Sequence, residues 1–238
     1  RRETIGVRHR EEFGDERAFD PQNPWWKLHL DLLKACRKNS GGRYLVGCPD
    51  LVEGLDTLAG MKGTEAVCLD MAMRPDVLKE QLQKVNDVYF QVFDQIYDLI
   101  QVDGEMAFCY FSIWGPGKVS KLQSDISLMI SEDHFREFVQ PYIREQCQKI
   151  DYTLYHLDGR DALRHLDAIL EIDELNAVQW TPGHGEPQGG DPSWYDLYRK
   201  IISKGKGAMA CWVELDELKP LLDAVGGEGL NILMHFKS

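Results

Sequence analysis

The sequence predicts an α/β fold of the (β/α)8 TIM-type barrel class, on three observations. Short apolar runs of strand length alternate with helical segments over short connections, the rhythm of parallel strands and crossover helices. One run, Met106-Ala107-Phe108-Cys109-Tyr110-Phe111, is apolar without alternation, which suits a strand buried on both faces. The chain has 238 residues, 43 % hydrophobic and 10 % aromatic, enough for one core, so residues 1–238 read as a single barrel domain.

Residues 1–23 are polar and aperiodic and read as a loop or tail. Asn23-Pro24 opens a helix through Trp25, Trp26, Leu28, Leu30, Leu32, Leu33 and Ala35, and Gly41-Gly42 stops it. Arg43 to Gly47 is a strand, and Val67-Cys68-Leu69 is a weak one. Pro75-Asp76 starts the longest amphipathic helix, with Leu78, Leu82, Val85, Tyr89, Val92, Phe93, Ile96 and Ile100 on one face. The strand near residue 107 follows, then a loop at Gly115-Pro116-Gly117-Lys118.

Ser131-Glu132-Asp133 caps a helix that Pro141 kinks or restarts. Thr153 to Leu157 is a strand, Ala162 to Leu170 a short helix, and Ala177 to Trp180 a strand with a Gly- and Pro-rich loop after it. Trp194 to Ser203 is a helix, Ala208 to Val213 a strand, Leu215 to Val225 a helix and Leu230 to Met234 a last strand. Six good strands and one weak one fall short of eight, so the barrel is expected to be truncated at its N-terminus and at its final helix.

Lys and Arg total 27 against 39 Asp and Glu, a net charge of −12. That balance opposes a nucleic-acid partner, since phosphate neutralisation needs a basic face, and an anionic membrane surface. No run approaches the roughly 18 apolar residues of a membrane span. The six cysteines form no CxxC pair and lie mostly in apolar contexts, so they read as reduced thiols of a cytoplasmic protein.

In a (β/α) barrel the working residues follow the strands. That rule selects Tyr110, Ser112 and Trp114, then His156, Asp158 and Arg160. Further along it selects Gln179, Trp180, His184 and Glu186, then Trp212, Glu214 and His235. His156 and Asp158, two apart on a strand, point to one side. They read either as a pair sharing a metal ion or relaying a proton, or as a hydrogen-bonded His beside an Asp that caps the next helix. His184, between two glycines, is a lid acid or base, or loop filler. Trp114 and Trp180 stack on a flat ligand or pack in the core. Asp125 faces the barrel mouth or stabilises a turn. Cys211 is an inert core thiol or a metal ligand. No GxSxG elbow and no phosphate loop occurs.

The motif order resembles the uroporphyrinogen decarboxylase superfamily. The likeness runs through Pro49-Asp50-Leu51, Gly63-Thr64-Glu65 and Leu69-Asp70. It continues in Ser124-Asp125, Ile130-Ser131, Phe135, Phe138 and Pro141-Tyr142. His156-Leu157-Asp158-Gly159 with Gln179-Trp180-Thr181-Pro182-Gly183 resembles an uncharacterised bacterial branch of it. The resemblance implies a (β/α)8 barrel with a deep mouth and one of two activities. One is carboxylate removal from a tetrapyrrole or other polycarboxylate without metal or cofactor, a lyase reaction. The other is zinc-dependent methyl transfer with a corrinoid protein.

Asp125, His156 and Asp158 would then be catalytic, and Tyr110, Trp114, Gln179, Trp180, His184 and Glu186 would bind the substrate. In the methyl-transfer alternative His156 and Asp158 would hold zinc, with Asp158 standing where the methyltransferases have Cys, a harder ligand. The Arg-rich N-terminal signature of the decarboxylases is absent. A third expectation is a non-catalytic ligand-binding barrel. A second copy of the chain, in a homodimer, is a further expected partner.

Overall fold

The computed structural model describes residues 19–236; residues 1–18 of the expected tail lie outside them. Residues 19–23 form a turn before the first helix. Asn23 caps α1 (Pro24–Ser40) by accepting from the backbone N–H groups of Trp25 and Trp26, and Gly41, at φ 56°, ends it. Next come β1 (Gly47–Cys48), α2 (Gly54–Lys62) and α3 (Thr64–Met73). The weak strand expected at Val67–Leu69 is therefore helical. Val67 and Met71, four apart, share its buried face, whereas Leu69 is 53 % exposed.

The long helix α4 (Pro75–Ile100) buries Leu78, Leu82, Tyr89, Phe93, Ile96 and Ile100, the face its periodicity predicts. The apolar run after it gives only β2 (Glu105–Phe108). The chain then reverses through Cys109–Ile113 into β3 (Trp114–Pro116), antiparallel to β2, and returns as β4 (Val119–Leu122). The loop expected at 115–118 is thus largely a hairpin arm, and β4 is a strand the sequence pattern does not announce. Its residues Val-Ser-Lys-Leu are all buried although two are polar.

Ser131 caps α5 (Glu132–Phe138), and the helix breaks at Val139 before Pro141, giving α6 (Gln140–Lys149). Then follow β5 (Tyr152–Asp158), a 3-10 turn at Arg160–His165, α7 (Leu166–Leu170), β6 (Ala177–Thr181) and α8 (Tyr195–Ser203). Last come β7 (Gly207–Val213), α9 (Leu215–Val225) and β8 (Leu230–Met234).

Strands β4-β5-β6-β7-β8 form a parallel five-stranded sheet in chain order, and β1-β2-β3 a second sheet. Among the described residues no ladder joins β4 to β2 or β8 to β1. The architecture is α/β with parallel crossovers, and the hairpin interrupts the alternation expected of an eightfold barrel.

The two faces of the larger sheet differ. Tyr155, Leu157, Val178, Trp180, Ala208 and Ala210 pack with Phe135, Phe138, Ile169, Trp194 and Tyr198 of the covering helices and turns in the main core. The other face carries Leu154, His156, Ala177, Gln179, Met209 and Cys211, in register across the strands. Phe111 and Ile113, from the hairpin turn, pack against Leu154, Met209, Cys211 and Leu233 on that side. No helix among the described residues is long and apolar enough to cross a membrane.

Candidate functional site

The C-terminal end of β5 brings His156 and Asp158 to one side of the strand, as their spacing predicts. The ring of His156 lies beside Gln179, its register partner on β6. The Gln179 amide nitrogen donates to Thr181 Oγ1 at 2.8 Å and to Cys211 Sγ at 3.3 Å. Its oxygen is therefore the atom that meets His156 Nδ1. An amide oxygen only accepts, so in the neutral ring Nδ1 carries the proton and Nε2 is bare. Asp158 Oδ2 lies 3.9 Å from Nε2, beyond direct hydrogen-bond range. The His156 side chain is 16 % exposed and that of Asp158 44 %. The Phe111 ring tilts over His156 at 5.3 Å between centroids.

Phe111 and its neighbour Ser112 both hold positive φ, 60° and 51°, in a turn without glycine. Each such residue costs on the order of 1–2 kcal/mol, so tertiary contacts impose the conformation. Trp212, at φ 61°, is strained in the same way where the β7–β8 ladder shifts register, and its ring meets His235 edge-on at 5.9 Å.

The end of β4 adds a charged cluster that the sequence pattern did not single out. Lys121, 2 % exposed, bonds Asp50 Oδ1 at 2.6 Å and donates to Gln123 Oε1. Gln123 in turn donates to Asp125 Oδ2 at 3.3 Å. Behind this chain, Glu53 Oε1 accepts from the Gln123 backbone N–H at 2.6 Å. Asp56 accepts from the backbone N–H groups of Asp125 at 2.6 Å and Ile126 at 2.9 Å. Two acids of the α2 start thus hold a segment about 70 residues further on. Burial pushes the Glu53 carboxyl up to about 8, against the lowering pull of Lys121. Burial likewise raises Asp56. Lys121 was hidden because a lysine in a four-residue run reads as a loop; Glu53 left no signal in the sequence.

The remaining expected site residues divide by exposure. Trp180 does not line an opening. It is fully buried, edge-on against Trp194 at 5.0 Å on the helix-covered face, because it alternates with Gln179 along β6. Tyr110 is 53 % exposed and tilts against Phe111. Trp114 pairs with Ala107 across the hairpin and lines a shallow groove with Leu45 and Ile113. His184 is exposed between Gly183 and Gly185, both at positive φ. Glu186 pairs with Arg160 at 3.2 Å. Asp125 is exposed at the start of a 3-10 turn, Asp125–Met129.

Cys211 is a buried free thiol whose proton burial holds up to about 11. Of the cysteines, Cys48 and Cys147 are also buried, Cys68 is half-buried, and Cys36 and Cys109 are exposed, so burial is less general than the sequence suggests. Among the described residues no three His, Cys, Asp or Glu side chains gather as a metal-binding group.

Compared with protein-family models, with curated proteins and with solved structures, the chain matches none.

Proposed function

We propose that the two sheets are consecutive arcs of one (β/α)8 barrel of the uroporphyrinogen decarboxylase kind, and that the chain is a cytoplasmic carbon–carbon lyase acting on a tetrapyrrole or other polycarboxylate. The observation that carries this reading is the Gln179–His156–Asp158 arrangement, a strand-end imidazole with its tautomer set on one side and a carboxylate on the other. Loss of carbon dioxide breaks a carbon–carbon bond and leaves the electron pair on carbon. Protonated His156 gives its Nε2 proton to that carbon, and solvent reprotonates the ring. Asp158 stabilises the imidazolium and Gln179 fixes its orientation. Asp125 is the second proton-exchanging group in this reading. In this reading Arg160, 68 % exposed and paired with Glu186 at 3.2 Å, supplies the positive charge for a substrate carboxylate. In this reading Tyr110, Trp114, His184 and Glu186 contact the substrate.

The test supplies a carboxylated porphyrinogen and a panel of simpler polycarboxylates anaerobically and measures released carbon dioxide. His156→Ala should lower the rate by about 10²–10⁴ with the fold intact. No release from any substrate, or an unchanged rate in the variant, defeats the proposal. Saturable substrate binding without release would leave a non-catalytic binding barrel.

One distance favours the alternative, methyl exchange with a corrinoid protein. Nε2 and Oδ2 at 3.9 Å are close enough to touch one zinc ion with bonds of roughly 2.0–2.2 Å. Two donors fall short of the three protein ligands usual for catalytic zinc, so no step is routed through the metal. Stoichiometric zinc in the purified protein, lost in His156→Ala, would move the assignment to methyl transfer.

A further inference from the structure

Helix α1 carries two apolar faces, and the chain packs only one of them. Leu33 is buried and Trp26 half-buried in the core that holds Tyr89, Phe93, Ile96 and Ile100 of α4. On the other side Trp25, Leu28 and Leu32 are 71 %, 49 % and 58 % exposed, and the exposed residues Ala35 and Asn39 continue the line. We propose that this second face pairs with the same face of a second copy of the chain, as two antiparallel α1 helices about a twofold axis.

The spacing is that of a helix-pairing seam. Residues 25, 28, 32, 35 and 39 recur at steps of three and four, so they form one stripe along the helix Pro24–Ser40. A helix whose outer side faces only water carries polar residues there. Three large apolar side chains in line are a contiguous patch of the kind that marks a contact surface, unlike apolar residues scattered singly. Asn39 is the polar member of the stripe, the residue type that fixes register in such seams.

The charges beside the stripe select the occupant and its direction. One flank carries Asp31 and Lys38, two turns apart and both exposed. When two such helices run antiparallel, this flank meets itself, and Asp31 of each copy faces the partner's Lys38. That register sets Leu32 against the partner's Ala35 and Leu28 against the partner's Asn39. When the helices run parallel, the flank meets the opposite one, which carries His29 and Cys36 and offers Lys38 no carboxylate. An unrelated partner needs an anion and a cation at matching positions, whereas a second copy already holds both. Asp31 bonds Lys34 within α1 at 3.2 Å, but both side chains are mostly exposed, and such a pair holds little energy against a change of partner. Lys27 and Lys34 lie further round the helix from the stripe. One helix pair buries less than the roughly 1,200–2,000 Å² of a stable interface, so the two copies associate and separate with concentration.

The test follows the mass of the full chain by sedimentation equilibrium at concentrations up to about 1 mM, the range in which a weak pair forms. The mass should rise from one chain toward two. Leu32→Glu, at a position open to water in the single chain, should leave the urea midpoint in place and weaken the pair at least about tenfold. Asp31→Lys alone sets like charges together twice across the twofold axis and should weaken it about fivefold, and the double variant Asp31→Lys with Lys38→Asp should restore it. A chain that stays single at every concentration overturns the proposal, as does a dimer that Leu32→Glu leaves unchanged. Charge reversal without effect, or a double variant that does not recover, overturns the antiparallel pairing. A single chain that instead sediments with phosphatidylglycerol vesicles, and loses them in Leu32→Glu, would assign the stripe to a membrane surface and overturn the second copy as its occupant.

Discussion

Gln179 on β6 presents its amide oxygen to His156 Nδ1 on β5 because both hydrogens of its amide nitrogen are engaged, by Thr181 and Cys211. The pairing is a register relationship between adjacent parallel strands, so it is held by the sheet as well as by the side chains. It predicts that Gln179→Leu, which removes the acceptor at similar volume, frees the imidazole tautomer. Nitrogen-15 shifts of His156 should show a single Nδ1–H form in the unaltered chain and a mixture in the variant. A mixture in both would refute the arrangement.

Glu53 makes stability depend on pH. Its folded carboxyl titrates near 8 because burial disfavours the charge, well above its unfolded range. With a raised folded value, its contribution is fully present below the unfolded value and is lost as pH rises through about 8. The loss is at most about 5 kcal/mol, from 1.36 kcal/mol for each pH unit of displacement. Denaturant midpoints from about pH 5 to about pH 9 should fall, and Glu53→Gln, neutral throughout, should flatten the curve. Parallel curves for the two proteins would contradict the burial of that carboxyl.

Asp56 secures the turn that carries Asp125. Its two oxygens accept from the Asp125 and Ile126 backbone N–H groups across a long sequence separation. Asp56→Ala leaves both donors without their partner and should cost about 1–3 kcal/mol in urea unfolding. Asp56→Asn keeps one acceptor and should lose less. Equal stability of all three proteins would show that the contact contributes nothing.

The two tryptophans expected to flank an opening should behave oppositely. Trp180, fully buried against Trp194, should cost about 3–5 kcal/mol on truncation to Ala. Trp114, 64 % exposed, should cost no more than about 0.5 kcal/mol. Thermal or chemical unfolding of the pair decides the point, and comparable losses would reverse the assignment of faces.

Relief of backbone strain is measurable at Ser112. Its φ of 51° is open to glycine, so Ser112→Gly should leave stability unchanged or raise it by up to about 1 kcal/mol, whereas Ser112→Val should lower it. A clear loss in the glycine variant, measured by urea midpoint, would mean the turn is not strained.

Much of the order of elements was legible because local signals agreed with the fold. The α1 cap at Asn23, the start of α4 at Pro75, the Ser131 cap, the full span of α9 and the bounds of β8 all follow from capping chemistry and periodicity. Strand β4 and the hairpin were not legible. Val-Ser-Lys-Leu lacks the apolar alternation of a strand, and Lys121 is tolerated there because Asp50, from a distant part of the chain, pairs with it.

The sequence by itself determined that Gln179 and Trp180 project from opposite sides of β6, and that His156 and Asp158 project from the same side of β5, since side chains alternate along a strand. Which side the helices cover was decided only by tertiary structure. Burial is a property of what packs against a face, and nothing local to those residues records it. The same holds for Glu53 and for the turn that lays Phe111 over His156.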